Sequence, residues 1–144
     1  MAYLLAGDLD THIYASNRDE ITRGDNTIVY EAIDAAVSEA KSYLSRFDLV
    51  KIFGNGDTEP QYINPGLKQK VKDLAHWHLV TLANPNIAID IARMKYEDAI
   101  RWFEKIGERK LNPGFPMPAN DPATDSNESE SIEWNSEAKR QNHY

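Results

Sequence analysis

Residues 26–48 read NTIVYEAIDAAVSEAKSYLSRFD, and this stretch decides the fold. Plotted at about 100° per residue, Val29, Ile33, Ala36, Val37, Ala40, Leu44 and Phe47 fall within about 100° of one another. Glu31, Asp34, Ser38, Lys41 and Ser45 take the opposite side. The spacing predicts a one-sided amphipathic helix, whose apolar stripe other helices must cover. The fold class that follows is all-α.

Downstream, Asn-Pro occurs at 64–65, 84–85 and 112–113. Asn is a strong helix N-cap and Pro suits the first helical position, so the first two pairs predict helix starts. A helix over 65–83 puts Leu67, Val71, Leu74, Ala75, His78 and Leu82 on one stripe, with Trp77 and Val80 on another side. The helix opening at Pro85 is two-faced. Ile89, Ala92, Tyr96, Ala99, Ile100, Phe103 and Ile106 form the main stripe; Ile87, Ile91 and Met94 form a second, joined further along by Trp102. Either this is the central helix of the bundle or its second face meets another chain.

Upstream, residues 8–12 and 17–23 predict two short helices, the first capped by Asp8 and the second ended by Gly24-Asp25. Residues 48–64 lack a clear period. Gly54-Asn55-Gly56-Asp57 would suit a loose hairpin or an irregular arm. The expectation is a small bundle of four to five helices with an irregular arm at 48–64.

The third Asn-Pro starts a different composition. Residues 1–111 form the helical body; residues 112–144 form an extended Pro-, Ser- and Asn-rich tail that needs a partner to dock on. Of the net charge of −7, the tail carries −4, since six acids there face only Lys139 and Arg140. Phosphate binding needs a basic stripe, and the sequence has none. With no cysteine, disulfides and thiolate metal sites are excluded. The N-terminus is too short for a signal peptide and no run approaches a membrane span, which implies a soluble protein.

The polar residues offer few catalytic patterns. Asp73 and His76 have the i, i+3 spacing of di-metal helical bundles, but there is no second copy, and His76 points away from the stripe. The wheel therefore reads them as a solvated pair, and His78 as a hydrogen-bonded core or interface histidine. Asp90, Glu97, Glu104 and Glu108 are interleaved with Arg93 and Arg101, as on a charge-paired solvated face. Asn55, Asp57 and Glu59 give a fragment of a calcium loop and are read as a turn. Neither a phosphate cradle nor a nucleophile elbow occurs. The reading is no enzyme, no metal and no cofactor.

These residues resemble the Mu-like phage head–tail adaptor family (neck, or head-completion, connectors). The likeness runs from Ala2-Tyr3-Leu4 and Asp8-Leu9 to Tyr43-Leu44-Ser45-Arg46-Phe47-Asp48-Leu49, similar to the family's Tyr-Leu-x-x-Arg-Tyr-x-Leu. It resumes at Leu67-Lys68-Gln69 and Leu74-Ala75-x-Trp77-x-Leu79. It is best from Arg93 through Tyr96-Glu97-Asp98-Ala99-Ile100-Arg101-Trp102-Phe103-Glu104-Lys105-Ile106 to Lys110-Leu111. The Pro that often follows the Arg-Tyr-x-Leu segment is absent, with Val50-Lys51 in its place, and the tail is longer than the family core.

The resemblance implies a virion structural protein of the neck, made in the host cytoplasm. It implies a homo-oligomeric ring, twelve copies to match a portal, bound beneath the portal protein and above downstream tail or neck proteins. DNA would pass through the lumen without sequence-specific binding, and no membrane, catalysis or cofactor is involved. Candidate interface residues are Trp77, Val80, Ile87, Ile91 and Met94 in the body, with Ile132 and Trp134 in the tail. The alternative is a small cytoplasmic helical binding or regulatory module whose acidic tail competes for a basic surface. A metal-dependent helical-bundle enzyme is a third possibility.

Overall fold

A computed structural model describes residues 2–82 and 89–119, and among them the chain is all-α. A 3₁₀ helix at Ala6–Thr11 is followed by α1 (Ala15–Thr22), α2 (Asn26–Tyr43), α3 (Leu49–Phe53), α4 (Pro65–Leu82) and α5 (Ile89–Gly107). The predicted start at Asn84-Pro85 lies outside the described residues.

Local chemistry sets the helix starts. Asp25 caps α2: its carboxylate accepts from Thr27 N–H at 2.9 Å and from the Thr27 hydroxyl at 2.7 Å. These bonds hold the Asp25 carboxyl below its usual range, the hydroxyl bond contributing most. Asn64 Oδ1 accepts from Leu67 N–H at 2.9 Å, with Pro65 opening α4 as the sequence predicts. Asp8 acts differently from the expectation. It stands inside the 3₁₀ helix and reaches back to accept from Leu5 N–H at 2.8 Å.

α2, α4 and α5 pack pairwise as a three-helix body, and the 3₁₀ helix and α1 lie against α2 and α4. The stripe that starts on α2 is buried as read: Val29, Ile33, Ala36, Ala40, Leu44 and Phe47 are all in the core, with Val37 packed at its edge. The central helix is α4, not α5. Leu67, Val71, Leu74, Ala75 and Leu79 are buried against the long helices, while Asp73, His76 and Val80 are buried on other sides. The N-terminal segment accounts for the extra coverage: Leu4, Leu9, Ile13 and Ile21 are buried in the same core. Burying Ile and Leu side chains contributes roughly 2 kcal/mol each, so this segment fixes itself by its own apolar residues.

Residues 48–64 are more ordered than an irregular arm. Asp48 accepts from Lys51 N–H at 3.2 Å and caps the short α3, which buries Ile52 and Phe53. Gly54 turns the chain at φ 73, where an added Cβ would meet Thr58 O at 2.6 Å. Asn55 Oδ1 then accepts from Asp57 and Thr58 N–H at 2.9 and 2.7 Å, so the calcium-like fragment is a turn. The arm returns to α3, with Gln61 and Tyr62 N–H both donating to Lys51 O at 2.9 Å. The described residues contain no strand.

The body also continues past Asn112. Phe115 is buried at 4 % exposure, edge-on to Phe47 at 5.4 Å and to Tyr62 at 6.0 Å. Asp48 N–H donates to Pro116 O at 2.9 Å. Residues 113–117 therefore lie on the body as a strap, where the composition had placed the start of the tail.

Candidate functional site

Two polar clusters lie across the body, and sequence reasoning had joined neither. In the first, His12 Nε2 lies 2.9 Å from Asp73 Oδ1 and 3.0 Å from Gln69 Nε2. The Thr11 hydroxyl stands 2.8 Å from His12 Nδ1. The His76 ring lies edge-on to His12 at 6.2 Å, and its Nε2 is buried without a partner among the described residues. Burial, helped by the nearby His12 and Lys95 charges and opposed by Asp73, pushes the His76 pKa down to about 4. The solvated reading of Asp73 and His76 is thus corrected: they are 6 % and 7 % exposed. The wheel failed because the covering residues come from the 3₁₀ helix, about sixty positions upstream.

Hydroxyl, imidazole and carboxylate are joined here as in a nucleophilic relay. The His12 side chain is 1 % exposed, while Thr11 beside it is exposed. What the cluster does is bond the first turn of the chain to the middle of α4. Among the described residues no group of three or more His, Asp or Glu is arranged to hold a metal ion.

The second cluster ties the three long helices together. Glu39 of α2 accepts from Tyr96 OH of α5 at 2.7 Å and from His78 Nε2–H of α4 at 2.9 Å. Trp77 stacks on Tyr96 with ring centroids 5.6 Å apart. Burial first, then the Glu39 hydrogen bond, lifts the Tyr96 hydroxyl to about 12, so it remains a donor at any working pH. His78 is the hydrogen-bonded histidine that its place on the stripe suggests. Glu97 and Asp98 pair with Arg101 at 3.9 and 3.5 Å, all well exposed, as a charge-paired surface.

The candidate interface residues separate into groups. Ile91 and Met94 stand on the outer side of α5, 52 % and 55 % exposed, opposite the buried Ala92, Ala99, Phe103 and Ile106. Trp77 is half-buried against Tyr96. Val80 is 2 % exposed, which assigns it to the chain's own interior and withdraws it as a surface contact. Trp102, read as joining the outer face, turns instead to Phe115 at 6.4 Å. Ile87, Ile132 and Trp134 lie outside the described residues.

No described helix is long and apolar enough to cross a membrane. Searches of curated proteins and of solved structures each gave no match. The family model described as "Bacteriophage Mu, Gp36" matches residues 6–131, which span the 3₁₀ helix, all five α-helices and the strap. The chain therefore belongs to the bacteriophage Mu Gp36 family, and is a Mu-like phage protein of the structural and morphogenesis kind.

Proposed function

We propose that this protein is a virion adaptor: copies pack side by side into a ring beneath the portal and extend the DNA channel towards the tail. The observation that carries the reading is the outer face of α5. Ile91 and Met94 are each more than half exposed on a helix whose other side is already committed to the core. Apolar side chains so placed gain by being covered, and a second copy of the chain covers them at low cost.

The electrostatics suit a conduit. A net charge of −7 repels the phosphate backbone, so DNA slides past without being held. The clusters that bind helix to helix suit a rigid building block: Glu39 alone bonds residues of both α4 and α5. A ring of twelve copies, matched to a portal, is the assembly proposed.

The reading is tested by Ile91→Glu combined with Met94→Glu, followed by sedimentation velocity with and without portal protein. The wild type is expected to sediment as a large ring with portal, and the double variant as a folded monomer with an unchanged circular dichroism spectrum. A double variant that assembles like the wild type would remove the α5 face from the interface.

A further inference from the structure

Where the chain leaves α5 it borders a groove of about 370 Å³ lined by Arg46, Phe47, Arg109, Asn112, Phe115 and Met117. Its floor is apolar: Phe47 and Phe115 meet edge to face at 5.4 Å, and Met117 at the rim is 45 % exposed. Its walls are basic. The Arg46 guanidinium lies over the Phe47 ring at 4.6 Å and gives Nη2 to Ile106 O at 2.9 Å. That leaves Arg46 Nε buried with no partner among the described residues. Apolar rings beside guanidiniums suit an aromatic side chain flanked by carboxylates.

The chain carries one segment of that chemistry beyond the described residues, Glu130-Ser131-Ile132-Glu133-Trp134. We propose that the groove receives Ile132-Glu133-Trp134 of a neighbouring copy of this chain, the indole against Phe47, Phe115 and Met117 and the Glu133 carboxylate on Arg109. Charge supports the pairing, since the segment carries Glu130 and Glu133 while Arg46 and Arg109 line the groove. Reach permits the neighbour. The described chain ends at Ala119, two residues past Met117, and Pro116 and Pro118 hold it extended as it leaves the groove. The fifteen residues from there to Trp134 reach up to roughly 50 Å, enough to cross to an adjacent subunit.

The inference rests on the ring reading and assigns the tail a place within it. Because the chain has no cysteine, single substitutions give a clean test. Full-length Asn112→Cys and Asn135→Cys proteins are mixed with portal, assembled, and oxidised gently; linked peptides are mapped by mass spectrometry, and the unoxidised sample is sized by native mass spectrometry. The expected product is a disulfide from position 112 of one copy to 135 of another, in several-fold excess over either like-with-like product. Arg109→Glu in the first protein should cut the yield several-fold, and Glu133→Arg in the second should restore it. Rings without the mixed disulfide overturn this proposal and leave the ring standing; monomers throughout overturn both. A chain carrying both cysteines that closes only on itself, or a cysteine at 112 that shields only when portal binds, assigns the groove to another occupant and overturns the proposal.

Discussion

His76 enters the folded state neutral and is held so by burial beside His12 and Lys95, with its pKa at about 4. The unfolded chain, titrating near the ordinary 6.5, therefore binds the proton first as pH falls. The stability this residue contributes is complete above about pH 6.5 and is lost progressively towards pH 4, by about 3 kcal/mol in total. Urea unfolding at stepped pH should show that slope in the wild type and a shallower one in His76→Leu; equal slopes would contradict the assignment. Gly54 is a second residue-scale test. Its φ of 73 and the 2.6 Å approach to Thr58 O leave no room for a Cβ, so Gly54→Ala should cost about 1–3 kcal/mol in chemical unfolding. The sequence flagged Gly54 as a turn, because a Gly-Asn-Gly run is a local signal. It hid His76, because the signal there is a contact between residues 12 and 76, which no helical period records.

At the scale of elements, the long helices were legible and their arrangement was less so. Seven apolar positions from Val29 to Phe47 share one face, and six of them are fully in the core. α5 has two apolar stripes, yet α4 is the helix enclosed on most sides. A wheel measures how apolar a face is, whereas the enclosure of α4 depends on the short N-terminal elements that pack over Asp73 and His76. The strap escapes a periodicity reading for a related reason. Periodicity ends at Leu111, but one phenylalanine between prolines needs no period to be buried. Phe115→Ala should therefore lower stability by about 3 kcal/mol, measured by chemical denaturation, since Phe115 sits at 4 % exposure against Phe47 and Tyr62. A variant as stable as the wild type would mean that the strap rests on the body without holding it.

At the scale of the whole molecule, the polar interior and the apolar exterior have different tasks. The His12–Asp73 and Glu39–His78–Tyr96 clusters bond the chain's own elements to one another, while Ile91 and Met94 are exposed among the described residues. That the chain is a Mu-like phage protein was legible in the order of the residues alone, from motifs spread along the body; the adaptor role is the finer part that remains a proposal. Which apolar face stays exposed was not legible, since a sequence shows that an apolar face exists but not whether the chain covers it. Val80 and Ile91 both lay off the main stripes, and only one of them is exposed. The protein is proposed to close into a ring on the portal. Native mass spectrometry of the wild-type chain, alone and with portal protein, tests it most directly. The expected result is a portal-bound assembly carrying a full ring of copies, twelve on the proposed match; a protein that stays monomeric under both conditions would contradict the account.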